Sequence, residues 1–326
     1  MRNDQAQFFI LPSIAAVVSR CSRVFFHPEL VRPAVEKWGD YFRDLGEWQN
    51  VCHFFDDSEE TVRWIFVLDI LNHCFWPDVG EPTWTIHYGG SPRSGYWGLA
   101  ASLKRAQESG IPITQPDFLA NLSADDLKGI LSGNVEIPLF EERLFNLREA
   151  GRILNSTWRG DIIHLLESAK GNALVAVKKI VDSFPSFRDD ARYGEIEVYF
   201  WKRAQIFISD VNLAFAGRKW GKFIHMDKLT AFADYKLPQV LRALGVISYH
   251  PDLASKVDSM QVLSQGCEEE IEIRAMTVWA VEALKNAFAA QGREVSSTWV
   301  DNWLWQLGQM ESFRKRPYHR CRTIFY

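Results

Sequence analysis

Residues 62–76 constrain the fold most, because almost every position in this stretch is apolar. A helix that is apolar all round has no face suited to water, so the pattern is typical of a helix buried inside a large protein. The exceptions with polar atoms, Asp69, Asn72, His73 and Trp76, recur at helical spacing and would share one face. The sequence therefore predicts a central helix that carries buried polar groups on one side.

Helical patterning continues along most of the chain, so the predicted fold class is mainly α, a multi-helical globular protein with a few short β-strands. Residues 84–88 alternate in polarity, and residues 94–97 follow after Gly89-Gly90-Ser91-Pro92, which predicts a short β-hairpin. The other long helices are predicted at residues 98–109, 139–154, 161–184, 201–215, 237–244, 271–290 and 297–309.

The length of 326 residues suits one large core or two closely packed lobes. Residues 183–190 interrupt the helical pattern with a proline and several polar side chains. We therefore predict a single mostly helical unit over residues 1–326, which can divide into lobes at 1–185 and 190–326 with the functional site between them.

The charge balance argues against a protein that grips duplex nucleic acid. The formal net charge is -4 at pH 7, whereas binding to a duplex is driven by basic side chains that neutralise phosphates. A small charged ligand is compatible with this balance.

The cysteines bear on the compartment in which the chain works. There are five, widely spaced and without any C-x-x-C pair, which favours a reducing, cytoplasmic compartment and argues against disulfides or structural zinc. We expect neither a metal nor a cofactor. The apolar run at residues 8–18 is too short to cross a bilayer and contains Pro12, so we interpret it as the first buried helix.

Lys202 and Asp234 each stand among aromatic and apolar neighbours, close to a predicted helix start. A charge in such a setting is costly unless it is paired or used, which makes both residues site candidates. From spacing alone, an aspartate that only caps the helix predicted from Leu237 is the commoner explanation for Asp234. Lys202 can be a surface or snorkelling lysine, although Gln205 and Ser209 on the same helix favour a pocket.

Asp69 and Asn72 lie on the predicted central helix and have two interpretations. They can form a structural hydrogen-bonded network, or they can contact the edge of a ligand whose ring stacks on Phe75 or Trp76.

Two further acids are ambiguous from spacing. Glu142 follows Glu141 in the first turn of a predicted helix, where acids ordinarily complement the helix dipole. Asp210 can extend the polar seam of the helix that carries Lys202, or it can be exposed.

Several uncommon strings in this chain occur together, and in the same order, in one known family. The strings are Asp69-x-x-Asn72-x-x-Phe75-Trp76, Gly95-Tyr96-Trp97, Gly110-Ile111-Pro112-Ile113-Thr114, Glu141-Glu142-Arg143, Ser183-Phe184-Pro185-Ser186-Phe187-Arg188-Asp189, Lys202-Arg203-Ala204-Gln205, Phe232-Ala233-Asp234-Tyr235-Lys236-Leu237-Pro238-Gln239 and Pro317-Tyr318-His319-Arg320. By these strings, nearly the whole chain resembles the queuosine salvage protein family.

The resemblance implies an enzyme that hydrolyses the N-glycosidic bond of queuosine 5'-monophosphate and releases queuine and ribose 5-phosphate. It also implies a helical fold related to helix-hairpin-helix DNA glycosylases, with Lys202 and Asp234 as the catalytic pair. Since such cleavage passes through an oxocarbenium-like sugar, Asp234 is expected to stabilise that cation and position water. Lys202 is expected to support Asp234 or to contact the ribose or phosphate.

The implied base is a 7-deazaguanine, which lacks the N7 atom that usually accepts a proton when a purine leaves. Its pyrimidine edge is therefore expected to bind Asp69 and Asn72, with Phe75, Trp76 or Tyr96 stacked on the ring. The remaining substrate-binding candidates are Asp210 or Glu142 for the side-chain ammonium, Lys236, His319 and Arg320 for the phosphate with help from amides near Leu237, and Tyr235 beside them.

Other functions remain open at this point. One is a glycosylase that flips a base out of DNA or tRNA, and another is a hydrolase of ordinary purine nucleotides. A third is a non-catalytic nucleotide-binding protein. The expected partner in the leading interpretation is a small nucleotide, not a nucleic acid duplex or a membrane.

Overall fold

The computed structural model describes residues 9–42 and 48–326, and it confirms a mainly α fold with short strands in small two-stranded sheets. Two compact units are present, and each is built from separate stretches of the chain. The first unit comprises Met1–Gly46, Asp189–Lys202 and His225–Thr323, and the second comprises Glu47–Arg188, Arg203–Ile224 and Ile324–Tyr326. The predicted lobes at 1–185 and 190–326 stay a prediction, as does the relation to helix-hairpin-helix glycosylases.

The first unit is organised around α13 (Glu268–Ala290), which packs against four other helices of the unit. Three glutamates in its first turn complement the helix dipole. Most of its residues are nevertheless buried, including Glu270, Glu272 and Arg274. The other helices of this unit are α1 (Ile10–Val18), α2 (Pro28–Trp38), α11 (Lys236–Leu244), α12 (Pro251–Asp258), α14 (Ser297–Leu307) and α15 (Glu311–Arg314).

The first unit contains three pairs of short strands, two of which join segments distant in sequence. Antiparallel pairing joins β1 (Val24–Phe26) to β6 (Ile247–Tyr249) and β4 (Asp190–Tyr193) to β5 (Ile196–Tyr199), and parallel pairing joins β7 (Val262–Leu263) to β8 (Arg320–Cys321). Helix α1 confirms the predicted first helix, although Phe8 of the predicted run lies outside the described residues.

The second unit is organised around α3 (Glu59–Leu71), in which every residue from Val62 onward except Arg63 is buried. The other helices of this unit are α4 (Gly95–Glu108), α5 (Pro116–Ala120), α6 (Ala124–Ile130), α7 (Phe140–Thr157), α8 (Ile162–Ser168), α9 (Ala173–Ser183) and α10 (Lys202–Ala214), whose first residue belongs to the first unit.

The predicted central helix is shorter than its apolar pattern indicates. It ends at Leu71, where Asn72 leaves helical geometry with ψ 69°, and Cys74 has a positive φ of 40°. The prediction that Asn72, His73 and Trp76 continue the helical face of Asp69 is therefore wrong. They belong to an irregular segment that follows the helix.

The single helix predicted over residues 161–184 is also wrong, because the structure has two helices, α8 and α9, in this range. Lys170 and Gly171 both take positive φ angles, of 52° and 70°, which no helix continues through. The Asn172 side chain then caps the new helix by accepting the amides of Leu174 and Val175.

A β-hairpin is present as predicted, but its second strand lies at Ser91–Ser94 and not at residues 94–97. Strands β2 (Thr85–Tyr88) and β3 (Ser91–Ser94) pair in antiparallel register around Gly89 and Gly90, whose φ angles of 59° and 77° suit a two-residue turn. The second strand ends at Ser94, so Tyr96 stands in the first turn of α4 and not on a strand. Among the described helices, none has the length and apolarity needed to span a bilayer.

Candidate active site

Asp234 lies two residues before the first residue of α11, and its side chain caps the helix. Its Oδ1 accepts the amides of Lys236 at 2.7 Å and Leu237 at 3.0 Å. These are donors that a helix start leaves unsatisfied, so the capping explanation is correct as far as Oδ1 is concerned. The amide near Leu237 that was predicted to help bind phosphate is thereby engaged. None of the described residues donates a hydrogen bond to the other oxygen, Oδ2.

Lys202 is the first residue of α10 and is only 5% exposed. The preceding residue, Trp201, takes a positive φ of 49°, which turns the backbone sharply from β5 into the helix. The amides of Phe200 and Trp201 donate to the Asp189 carbonyl at 3.0 and 3.4 Å, and the Lys202 amide donates to Asp189 Oδ2 at 3.3 Å. Two of these amides bond the main chain of Asp189 and one bonds its carboxylate, so Asp189 holds the backbone at the start of α10.

A buried arginine joins the segments of Lys202 and Asp234. Arg274 on α13 donates to the two carboxylate oxygens of Asp189 at 2.8 and 2.5 Å. Its Nε donates to the carbonyl of Ala233 at 3.0 Å, next to Asp234. Arg274 thereby connects the segment that precedes Lys202 to the segment that carries Asp234 through its bonds to Asp189 and Ala233.

Three of the predicted binding residues of the first unit surround the ring of Tyr318. The Tyr235 ring lies 4.8 Å from it between centroids, and the cations of Lys236 and Arg320 lie 5.5 and 6.0 Å from the same centroid. Burial lowers the pKa of Lys236, while Asp234 raises it and Arg314 lowers it to a smaller extent. Two cations close to the start of α11 are therefore suited to an anionic group.

His319 is fully buried beside this cluster and differs from its neighbours in charge. Burial, assisted by the positive charge of Arg274, lowers the pKa of His319 to about 3. The ring is thus neutral at physiological pH, and it can contribute hydrogen bonds but no positive charge to a phosphate.

In the second unit, two buried arginines hold the end of α3 and the segment after it. Arg203 donates to the Asp69 carbonyl at 3.0 Å and also to the carbonyl of Ile70. Arg143 donates to the carbonyls of Leu71, His73 and Cys74, the last at 3.0 Å. The last carbonyls of a helix have no partner within it, so these arginines fix the backbone that carries Asp69 and Asn72.

Asp69, Asn72, Tyr96 and Asp210 are brought together in the second unit. Asn72 Nδ2 donates to Asp69 Oδ1 at 3.4 Å, and Asp69 itself is fully buried. Burial raises the pKa of Tyr96 well above its usual range, and the charges of Asp210 and Asp69 raise it further. Two carboxylates whose charges act on one phenol make this cluster suited to a ligand that donates hydrogen bonds or carries positive charge.

His53 contacts this cluster, although its spacing in the sequence gave no sign of a role beyond the core. Its Nε2 lies 2.8 Å from the Tyr96 hydroxyl and its Nδ1 2.7 Å from the Trp48 carbonyl oxygen. Burial lowers the pKa of His53 to about 4 despite the carbonyl of Trp48, so the ring is neutral. Nδ1 also lies 2.8 Å from Asn50 Nδ2, so His53 connects Asn50 and the Trp48 carbonyl to the Tyr96 hydroxyl.

The other candidates of the second unit differ in accessibility. Trp76 is almost completely buried, whereas Phe75 is partly exposed and lies 5.2 Å from the guanidinium of Arg143. Phe75 is therefore the more accessible ring for stacking. Glu142 is exposed in the first turn of α7, where its carboxylate complements the helix dipole.

Sequence reasoning assigned no role to Asp189, His53 or Arg274. The available signal for Arg274 was a charged residue inside an otherwise apolar stretch of α13, between Ile273 and Ala275. Its partners Asp189 and Ala233 are distant in sequence, so no local pattern could identify them.

A helical protein whose buried carboxylates, cations and aromatic rings gather at helix ends has the groups that a nucleotide-processing enzyme requires. The sequence pattern described as Queuosine salvage protein matches residues 52–326. The chain belongs to the queuosine salvage protein family.

Relatives of this chain carry a consistent name. A protein of Sphaerobacter thermophilus named Queuosine 5'-phosphate N-glycosylase/hydrolase is 41% identical over 317 residues, which cover 97% of each chain. Proteins with the same name from Nematostella vectensis and Mus musculus are 39% and 32% identical, and the matches cover 82% and 91% of this chain and 83% and 90% of those proteins.

Proposed function

We propose that this protein is an N-glycosyl hydrolase that cleaves queuosine 5'-monophosphate into queuine and ribose 5-phosphate. The observation that carries the proposal is the match along almost the full length of both chains to a protein named for that activity. The buried acid, base and aromatic groups of the two units supply the chemistry that the reaction needs.

The reaction requires a group that stabilises positive charge on the sugar. When the bond between C1' and the base nitrogen breaks, its electron pair leaves with the base and the sugar becomes oxocarbenium-like. Asp234 stabilises this cation through Oδ2, because Oδ1 is already held by two helix amides. The oxygen of a water molecule then bonds to C1', its proton passes to Asp234, and the departing base is protonated from solvent.

Lys202 is the second catalytic residue of the proposal. A buried ammonium at the start of α10 favours the carboxylate form of nearby acids and orients anionic groups of the substrate. Its action on Asp234 and its direct contact with the ribose or phosphate are both compatible with its position.

Recognition of the base is assigned to the cluster of Asp69, Asn72, Tyr96 and Asp210. A 7-deazaguanine presents N–H donors on its pyrimidine edge, and queuine adds an ammonium on its side chain. The carboxylates accept hydrogen bonds from these donors, and the Tyr96 hydroxyl, held 2.8 Å from His53 Nε2, can serve as a further polar contact. Phe75 is the proposed stacking ring, and Trp76 and Glu142 are weaker candidates.

Recognition of the 5'-phosphate is assigned to Lys236 and Arg320, the two cations around Tyr318. Tyr235 packs against the same ring and helps to shape this group. His319 supports them as a neutral hydrogen-bonding partner. We propose that the reaction takes place in the cytoplasm on the free nucleotide, without a duplex or a membrane as partner.

The test is incubation of the purified protein with queuosine 5'-monophosphate, followed by chromatography for free queuine. Guanosine monophosphate and unphosphorylated queuosine are run in parallel, and a gel-shift series at rising salt tests duplex DNA and tRNA. We expect release of queuine from the queuosine nucleotide and none of guanine. Base release from a polynucleotide would favour a base glycosylase, and binding without release would favour a non-catalytic nucleotide-binding protein.

A further inference from the structure

Arg274 contacts the segments that carry both catalytic candidates. Its planar guanidinium donates at once to two oxygens of Asp189 and to the Ala233 carbonyl. Its carbon also lies 3.9 Å from the centroid of the Phe200 ring, and Nη1 lies 3.4 Å from Glu270. Because the guanidinium is rigid, all these contacts are made in one fixed orientation.

The contacts to Asp189 and Ala233 fix the backbone beside the two catalytic candidates. Asp189 collects the amides of Phe200, Trp201 and Lys202, and therefore sets where α10 begins. Ala233 immediately precedes Asp234. The hydrogen bond from Arg274 to the Ala233 carbonyl therefore fixes the backbone next to the residue that caps α11. Both side chains of the pair are almost fully buried, at 2% and 3% exposure.

We infer that the Asp189–Arg274 pair is a positioning device for catalysis, which holds the backbones of Lys202 and Asp234 in register with each other. The Asp189–Arg274 pair does not contact the substrate. It acts through the geometry of the two residues that do, and this inference rests on the proposed function.

A positioning role accounts for this buried ion pair better than a purely stabilising one. Removing two charges from water costs several kcal/mol per ion, so a buried pair is weak evidence of stabilisation. Reacting groups, by contrast, need placement within a fraction of an ångström, and a shift of about 1 Å can cost about 100-fold in rate. A guanidinium that donates hydrogen bonds to the segments of both reacting groups restricts such shifts.

The experiment compares Arg274→Lys with Arg242→Lys in steady-state hydrolysis of queuosine 5'-monophosphate. Lysine keeps the positive charge but cannot donate to Asp189 and Ala233 in the same fork. Arg242 is a matched control, because it is also buried, pairs with Asp258 and stacks on Tyr249 in the same unit. Thermal melting and a calorimetric titration of substrate accompany the rate measurements.

For Arg274→Lys we expect kcat to fall about 100-fold, with KM and the substrate dissociation constant changed by less than about threefold. The Arg242→Lys control should keep kcat within about threefold of wild type. A merely structural role would lower the melting temperature of Arg274→Lys and leave kcat of the folded fraction intact, which would overturn the inference.

Should Arg274→Lys fail to fold, Asp189→Asn is assayed in the same way, because asparagine retains an acceptor for Arg274 and the Lys202 amide. Loss of folding in both variants would show a scaffold role and also overturn the inference. Wild-type protein that releases no queuine overturns the proposed function itself. Wild-type release with an unchanged kcat in the variant overturns only the positioning role.

Discussion

Asp234 combines a structural role and a proposed chemical role on separate oxygen atoms. Oδ1 caps α11 through two amides, and Oδ2 is the atom assigned to the sugar cation. Asparagine caps helices about as well as aspartate because its side-chain oxygen accepts the same bonds. It cannot stabilise a cation with a full charge or accept a proton from water. The two roles can therefore be separated by substitution.

Asp234→Asn should lower kcat by about 100- to 10,000-fold, the usual contribution of a general acid or base, and leave the melting temperature nearly unchanged. Asp234→Ala should lose the same activity and also about 1 kcal/mol of folding free energy, since alanine removes the cap. Queuine release and urea denaturation measure the two effects. An active Asp234→Asn protein would contradict the mechanism.

Asp210→Asn is expected to discriminate between substrates that differ only in the side chain of the base. If Asp210 binds the queuine ammonium, its neutralisation should weaken kcat/KM for queuosine 5'-monophosphate by about 10- to 100-fold, the range for a charged hydrogen bond. The 7-deazaguanosine monophosphate without that side chain should be affected by less than about threefold. Equal losses on both substrates would assign Asp210 to another part of the ligand.

At the scale of helices, α3 depends on arginines from elsewhere in the second unit because its polar end is buried. Arg143 donates to the carbonyls of Leu71, His73 and Cys74 and, at 2.9 Å, to that of Pro138. A buried carbonyl that loses its donor costs about 1–3 kcal/mol. The irregular segment after α3 is thus stable only with this side chain in place.

Arg143→Met should destabilise the protein by about 3 kcal/mol, since several carbonyls would lose a charged donor together. Arg148→Met is the control, because Arg148 on the same helix donates at 2.7 Å to one carbonyl, that of Leu122. It should cost no more than about 1.5 kcal/mol. Urea denaturation measures both, and similar losses in the two variants would contradict the proposed support of α3.

The helices with clear periodicity and strong terminal signals could be predicted from the sequence. Helix α11 begins one residue before its predicted start and ends before Gly245, whose positive φ of 77° favours glycine. The apolar run predicts an α3 that is too long. Apolarity alone does not show that buried arginines donate hydrogen bonds to the last carbonyls of the helix. Arg274 and Asp189 lie 85 residues apart in the chain, and a contact over that distance leaves no periodic trace.

At the scale of the whole molecule, the first unit is built from segments of the N-terminal and the C-terminal parts of the described chain. Helix α1 packs on α13, and β1 pairs with β6, so contacts join segments more than 200 residues apart in sequence. Glu272 reinforces this closure, because its carboxylate accepts the backbone amides of Ser22, Arg23 and Val24. Such non-local contacts form late and slow the folding of a domain.

The stability of the whole molecule should fall in mild acid because two histidines are buried in neutral form. The pKa of His319 is lowered from 6.5 to about 3, and that of His53 from 6.5 to about 4. The unfolded chain binds protons at these positions below about pH 6.5, whereas the folded protein does not. The stabilisation is therefore fully present above that pH and decreases as the pH falls toward the folded values.

Between about pH 7.5 and about pH 5, each of these histidines should contribute about 2 kcal/mol to the loss of unfolding free energy, which urea denaturation measures. In His319→Gln, which cannot be protonated at this position, the loss should be smaller by about 2 kcal/mol than in wild type. His87→Gln, at an exposed position of β2, is the control and should leave the wild-type loss unchanged. The same acid sensitivity in His319→Gln as in wild type would show that His319 is protonated in the folded protein, and its assignment as a neutral partner of the phosphate cations would then be wrong.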